Sequence, residues 1–427
     1  MILFIDLDGT LIHTEETKYK GIKDGEQDFV PAEIPTFDGA VDFIQALKRD
    51  GHRIIILSDS HPRYVPKIVD HYFQVEYLCL ADKPNIAKTL TLIQADEELH
   101  NTYTSAKEQM MLIGDSILDI QLGRKLKIST AYIQLYSGGQ YSDEDGIGDT
   151  RAAIKYGPTY IANNYEELLN IITYPKSNLL SLEAVCHGVK TNKAVKFWDY
   201  KDRTHQRIVA IRCLARQENG SSDMYSRADL YYQIDNLQRR LADLRKMAKG
   251  VENYLENLLS KNKFAWDYIT YVSDKSSTIP HNKLKEIFDQ IETCLPKIKL
   301  LEWNDGITTS LRNEKDYQAR QSFIRSNLHV IENPGIVLER KNIIIIDDQL
   351  TTGATAFEIR KKLEEKNVGN ILIITLFYMT LQVLDDKLCP KCGKPLVIKV
   401  NRRKGTKFYS CMPPQYGGNG CGYIENI

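Results

Sequence analysis

Along the first 175 residues, short apolar runs alternate with stretches whose apolar positions recur every three or four residues. The runs at 2–6, 53–58, 110–114, 130–135 and 158–162 predict strands. The periodic stretches predict helices near 38–50, 62–72, 84–95, 117–126 and 164–172. Such alternation implies a parallel sheet with helices on its faces. "TYPKSN" at 173–178 reads as an exit linker. The rhythm returns later, with strands expected at 268–273, 297–303, 342–348 and 370–378 and helices near 281–293, 315–327 and 354–367. A second parallel sheet follows.

Between the two, residues 179–224 carry a weaker pattern: "VKFWDY" and "RIVAIRCLA" are candidate strands, and "QENGSSD" is a loop by composition. From Leu230 the apolar positions are 230, 234, 237, 241, 244, 248, 251, 255 and 258, a heptad spacing. It suits a long amphipathic helix lying on its own domain, or a seam for self-association or a protein partner. Ala248 and Gly250 weaken the seam in its middle.

At 427 residues the chain exceeds one ordinary core. The expected fold class is α/β: two parallel-sheet domains joined by a long helical segment, with a small C-terminal module. The expected boundaries are 1–175, 176–264 (linker and heptad helix, grouped with the second domain), 265–386 and 387–427. A formal net charge of zero argues against a uniformly basic nucleic-acid binder and leaves room for local patches. Met1 leads straight into the strand-like "ILFID", and no apolar run approaches the roughly 20 residues of a membrane span. Four of the eight cysteines are scattered and four crowd the tail, which fits a reducing cytoplasm and one metal site.

In open parallel sheets, ligands bind at the carboxyl ends of the strands. "FIDLDGT" sets Asp6 and Asp8 at the first such end, two apart and so on one side of the chain, with Gly9 permitting the turn out. "IILSDS" ends another strand with Ser58, "DKP" supplies Lys83, and "LIGDSILD" supplies Asp115 and Asp119. Carboxylates converging on one point need a cation, and an all-oxygen set suits Mg²⁺. These four motifs, in this order, resemble the haloacid-dehalogenase (HAD) superfamily of phosphohydrolases. The resemblance implies Asp6 as nucleophile and Asp8 as general acid and base. It further implies Ser58 and Lys83 on the phosphoryl group, and Asp6, Asp8, Asp115 and Asp119 at Mg²⁺. Asp59, Ser60, His13 and His61 read as ordinary loop residues. The segments after the first motif (11–36) and after Ser58 are short, so the site should be open to bulky phosphoesters. "DLDGTLIHT" is also similar to the start of polynucleotide 3′-phosphatases.

"IIIIDDQLTTGAT" at 343–355 repeats the layout. Asp347 and Asp348 could take two ribose hydroxyls, while the backbone and hydroxyls of Thr351, Thr352, Gly353, Ala354 and Thr355 cradle a phosphate at a helix N-terminus. The stretch resembles the signature of type I phosphoribosyltransferases, which implies phosphoribosyl pyrophosphate as substrate or ligand. "RQSFIRSNLHV" at 320–330 extends the resemblance to the competence-associated (ComF-like) members. Ser273 and Lys275 in "YVSDKSS" would then sit in the pyrophosphate loop. "TIPHNK" stands where those proteins carry Arg-Gly-Phe-Asn, so binding is better supported than transfer.

Cys389, Cys392, Cys411 and Cys421 read as a tetrahedral Zn²⁺ site. "KGTKFYSC" resembles the C-terminal zinc ribbons of bacterial topoisomerase I, which implies binding of single-stranded nucleic acid. From Lys387 onward eight Lys or Arg face one acid, Glu425, with Phe408, Tyr409 and Tyr416 among them. The expected function is a bifunctional Mg²⁺ phosphohydrolase and phosphoribosyltransferase-like protein acting on nucleotides or nucleic-acid ends. The alternative is a regulatory or effector protein, suited to stress or antiviral defence, whose second domain senses a nucleotide or phosphoribosyl pyrophosphate.

Overall fold

The computed structural model describes all residues except 15–16, 136–152, 203, 205–206, 219–236, 262–264, 274–282, 306, 308–316, 334, 382–386, 388, 392–395, 401–405, 412–420 and 427. The chain divides into two compact units, each taken by itself below.

The first unit carries β1 (Ile2–Asp6), β2 (Arg53–Leu57), β3 (Glu76–Leu78), β4 (Met110–Gly114), β5 (Ser129–Ile133) and β6 (Tyr160–Ala162). They form one sheet in the order β3-β2-β1-β4-β5-β6, parallel throughout. Every residue of β1 and β4 is buried, as expected of central strands covered on both faces. The helices α1 (Ala40–Arg49), α2 (Val65–Tyr72), α3 (Ala87–Ala95), α4 (Glu97–Ser105), α5 (Ile117–Leu126) and α6 (Tyr165–Thr173) accompany it. Ile2, Phe4, Ile55 and Leu112 pack with Ile93 and Leu99 on one face, which gives α3 and α4 their buried side. The expected strands and helices of this unit are present. The single helix expected near 84–95 is followed at once by α4, capped by the Asp96 side chain on Leu99 N–H.

The second unit also meets the α/β expectation, with strands drawn from both sides of the heptad segment. It contains α7 (Ser181–Cys186), β7 (Val195–Asp202), β8 (Arg207–Cys213), β9 (Arg216–Glu218), α8 (Leu237–Ser260), β10 (Tyr268–Tyr271) and α9 (Lys283–Gln290). β11 (Leu301–Trp303), α10 (Tyr317–Asn327), β12 (Leu328–Val330), β13 (Ile343–Leu350), α11 (Ala354–Glu365) and β14 (Ile371–Thr380) follow. The sheet order is β10-β13-β14-β8-β7, with β7 antiparallel at the edge and β9 alongside the end of β14. The weakly patterned residues 195–218 thus supply three of its strands. "KIKLLEW" touches this sheet only at its start, through a parallel bridge from Lys297 to Ile269 of β10; 301–303 forms β11, which pairs antiparallel with β12.

From Leu244 onward the heptad stripe faces this unit's own core. Leu244, Ala248, Val251 and Leu255 are buried with Ile344, Ile346 and Ile374 of the sheet. Gly250 allows α7 to approach closely: a Cβ there would stand 2.9 Å from Leu182 Cδ1, and Ser181 Oγ donates to the Gly250 carbonyl at 2.6 Å. Residues 230 and 234, and the side chains of Leu237 and Leu241, lie outside the described residues.

The tail forms a three-stranded antiparallel sheet of β15 (Leu396–Val400), β16 (Lys407–Cys411) and β17 (Ile424–Asn426). Among the described residues, no helix is long and apolar enough to cross a membrane.

Candidate active site

Asp6 ends β1, Ser58 follows β2 and Asp115 follows β4, so three adjacent strands deliver their ends to one place. Lys83 arrives from the loop after β3 and donates to Asp6 Oδ1 at 2.5 Å and Asp119 Oδ1 at 2.6 Å. Asp119 lies in the first turn of α5, held by Ser116: its Oδ2 accepts the Ser116 hydroxyl at 2.6 Å in a capping box. Carboxylate oxygens of Asp6, Asp115 and Asp119 lie within 4.8 Å of one another. Close approach is possible because neighbouring positions have no side chain. A Cβ on Gly9, whose φ is +89°, would stand 2.2 Å from Asp115 Oδ2, and one on Gly114 would stand 2.3 Å from Asp119 Cγ.

The electrostatics of this cluster call for a cation. Burial, then the charges of Asp119 and Asp115, push the Asp6 carboxyl well above its usual range despite Lys83. Burial and Asp119 push Asp115 up to about 7. Burial alone would lower the Lys83 ammonium, but Asp119, Asp6 and Asp59 outweigh it and hold the charge. One ammonium against three carboxylates leaves excess negative charge, and all-oxygen donors fit a hard ion such as Mg²⁺.

Asp8 is held apart from this group. Its Oδ1 accepts the hydroxyls of Thr14 at 2.6 Å and Tyr64 at 2.9 Å. Its Oδ2 accepts Ser60 at 2.9 Å and Ser58 at 3.4 Å. Several of these residues escape sequence reasoning. Ser60, expected to be an ordinary loop residue, is a partner of Asp8; Asp59 accepts the Lys83 backbone N–H at 2.9 Å and fixes that loop. Thr10 bridges Asp6 at 3.4 Å and Asp115 at 3.2 Å, and Tyr165 anchors the Thr10 carbonyl at 2.7 Å. The Thr in "DGT" was a visible signal; nothing in the sequence marked Tyr64 or Tyr165.

In the second unit, β13 runs beyond the isoleucines to Leu350, so the pleat sends the side chains of Asp347 and Asp348 to opposite faces. Asp347 is buried and its Oδ1 accepts the Asp348 N–H at 2.9 Å; Asp348 is half-buried. Thr351 and Thr352 are exposed, Gly353 takes φ +83°, and α11 starts at Ala354 with Thr355 in its first turn. Arg320 reaches Thr351 Oγ1 at 3.4 Å. Ser273, just past β10, is buried and donates its hydroxyl to the Leu301 carbonyl at 3.2 Å. Lys275 lies outside the described residues.

In the tail, the Sγ atoms of Cys389, Cys411 and Cys421 lie within 4.8 Å of one another, with Cys389 and Cys421 at 3.3 Å. Three thiols converging with no disulfide among them fit a thiophilic ion such as Zn²⁺. Cys392 lies outside the described residues. Glu425 pairs with Lys387, whose ammonium also stands 4.7 Å from the Tyr409 ring centre.

No family model matches the chain, and no curated protein matches it. Solved structures with a similar arrangement include a HAD-family hydrolase from Deinococcus radiodurans R1 with bound phosphate and sodium. It is 15% identical, over 42% of this chain and 96% of that one, with TM-score 0.29. A predicted phosphoglycolate phosphatase from Haemophilus somnus 129pt is 14% identical over 40% of this chain and 96% of that one, TM-score 0.28. A hypoxanthine phosphoribosyltransferase from Staphylococcus aureus is 18% identical over 34% of this chain and 72% of that one, TM-score 0.22.

Proposed function

We propose that the first site is a Mg²⁺-dependent phosphohydrolase working through Asp6. The carrying observation is the contact of Lys83 with both Asp6 and Asp119 inside a buried three-carboxylate cluster at adjacent strand ends. Asp6 attacks phosphorus, and the bond to the leaving oxygen breaks as that oxygen takes a proton from Asp8. A water then gives a proton to Asp8 and attacks the phosphorus, releasing inorganic phosphate and restoring Asp6. Dividing one displacement in two lowers each barrier. Lys83 and the Ser58 hydroxyl bind the equatorial oxygens. Mg²⁺, bound by Asp6, Asp115 and Asp119, would supply further charge stabilisation. Residues 17–34 form only short helical turns, pinned where Tyr72 donates to the Pro31 and Ile34 carbonyls at 3.0 and 2.8 Å. A nucleotide or nucleic-acid end is therefore an admissible substrate. Phosphate release by the purified protein, with and without Mg²⁺ and with Asp6→Asn, tests the reading. Unchanged release by Asp6→Asn would remove it.

The second site is assigned to phosphoribosyl pyrophosphate: Asp348, with Asp347 behind it, on the ribose, and residues 351–355 on the 5-phosphate. The support is the strand end leading through two exposed threonines into a helix N-terminus. A sensing rather than transferring role is favoured by "TIPHNK" in the place of Arg-Gly-Phe-Asn. Calorimetry detects the ligand in either case, whereas pyrophosphate release with a base acceptor occurs only with transfer. The tail is assigned one Zn²⁺ on Cys389, Cys392, Cys411 and Cys421, and salt-sensitive contact with single-stranded nucleic acid.

A further inference from the structure

The mechanism asks Asp8 to deliver a proton to one particular oxygen, and its surroundings show how it is aimed. Four hydroxyls converge on its carboxylate from three parts of the chain: Thr14, the loop at Ser58 and Ser60, and Tyr64 at the start of α2. The two oxygens are not held alike. Oδ1 receives Thr14 at 2.6 Å and Tyr64 at 2.9 Å, from a threonine and a tyrosine that are both fully buried. Oδ2 receives Ser60 at 2.9 Å and only a long contact, 3.4 Å, from Ser58. Ser58 is also the residue assigned to the phosphoryl group.

Resting on the phosphohydrolase reading above, we propose that Tyr64 is a positioning residue. With Thr14 it clamps Asp8 Oδ1, leaving Oδ2 as the oxygen that exchanges the proton beside Ser58. Tyr64 is itself fixed. Its side chain is fully buried and its ring lies 5.4 Å from that of Phe29, in the segment after the first motif. The phenol keeps its proton at any physiological pH, because burial and the neighbouring Asp8 charge push its ionisation well up, so it remains a donor. Ser60 is the secondary guide: it donates to Oδ2, and its own N–H reaches Ser58 Oγ at 3.1 Å, which ties the working oxygen to the phosphoryl-binding hydroxyl. A carboxylate with one oxygen locked cannot rotate away while its other oxygen gives and regains a proton. Well-placed general acids contribute about 10²–10⁴-fold to rate, so loosening one donor should lose a fraction of that.

The test separates aiming from simple structural support through the leaving group. The ratio kcat/KM reports steps up to departure of that group, before the hydrolytic half. An alkoxide must be protonated as it leaves; 4-nitrophenolate need not be. Tyr64→Phe keeps the ring and removes only the hydroxyl. It should lower kcat/KM for glycerol 1-phosphate about tenfold more than for 4-nitrophenyl phosphate, with the Mg²⁺ dependence unchanged. Ser60→Ala should shift the two substrates in the same sense and by less, giving an independent variant should the buried tyrosine site tolerate change poorly. Equal loss on both substrates in both variants, or no loss in either, overturns the clamp while leaving the phosphohydrolase intact. Absence of phosphate release from both substrates by the unmutated protein overturns that reading, and the clamp with it.

Discussion

Two strand ends in this chain carry the same cue, an apolar run followed by paired acids, and the fold uses them differently. At the first, β1 stops at Asp6, and Gly9 at φ +89° turns the chain so that Asp115 can come up against it. The result is a buried, densely bonded cluster in which Lys83 is shared by Asp6 and Asp119. At the second, β13 continues four residues past the isoleucines, pairing with β14 as far as Leu350. One acid faces inward, one remains half-buried, and the polar groups left exposed are the threonines before α11. Where the strand ends at the acid, carboxylates converge and reactive chemistry is possible. Where it runs on, they diverge, and what remains exposed is the threonine loop before α11.

The largest expected effect is at the first end. Asp6→Asn should reduce Mg²⁺-dependent phosphate release to background with the circular-dichroism spectrum unchanged, because Lys83 keeps its bond to Asp119. The matching change at the second end, Asp347→Asn with Asp348→Asn, should weaken phosphoribosyl pyrophosphate by about tenfold or more in calorimetry and spare the phosphatase. No binding by the unmutated chain would remove the ligand assigned to the second end.

A smaller effect concerns pH. Asp6 and Asp115 both have folded-state ionisations raised above the ordinary carboxyl value of 3.8, Asp115 to about 7. Between those limits the folded chain binds more protons than the unfolded one, so without metal its stability falls as pH rises towards 7. Mg²⁺ competes with those protons and should raise the melting temperature more at pH 8 than at pH 5. An equal rise at both would mean that the cluster does not hold the ion. The smallest effect is confined to the second unit: Gly250→Ala puts a methyl against Leu182 and should cost about 1–3 kcal/mol without altering phosphate release.

Much of this was legible in the sequence, for identifiable reasons. The strands ending at Asp6, Leu57 and Gly114 are near-continuous apolar runs because helices cover both their faces, and the acids after them stand out by contrast. The carboxylate cluster therefore followed from order alone. Tyr64, Ser60 and Tyr165 did not, since their roles depend on contacts across 56, 52 and 155 positions that leave no periodicity. β8 and β9 were faint because their partner, β14, comes more than 150 residues later, and β7 joins the sheet only through β8. "KIKLLEW" was met only in part because its alternation fits any half-buried strand: Lys297 bridges β10, and 301–303 turns to pair with β12 instead. The heptad stripe was plain, but spacing cannot say what it packs on; from Leu244 onward the core of its own unit covers it.

The covalent bond to Asp6 on which the first strand end is proposed to work can be caught in one variant. Asp8→Asn removes the base needed for the second half, while 4-nitrophenyl phosphate needs no acid for the first. Incubated with that ester and Mg²⁺, then acid-quenched and digested, the variant should show one phosphoryl group on the peptide containing Asp6, with a stoichiometric burst of nitrophenolate. Turnover by the unmutated protein with no phosphoryl group on that peptide in the variant, or one on another residue, would contradict the account.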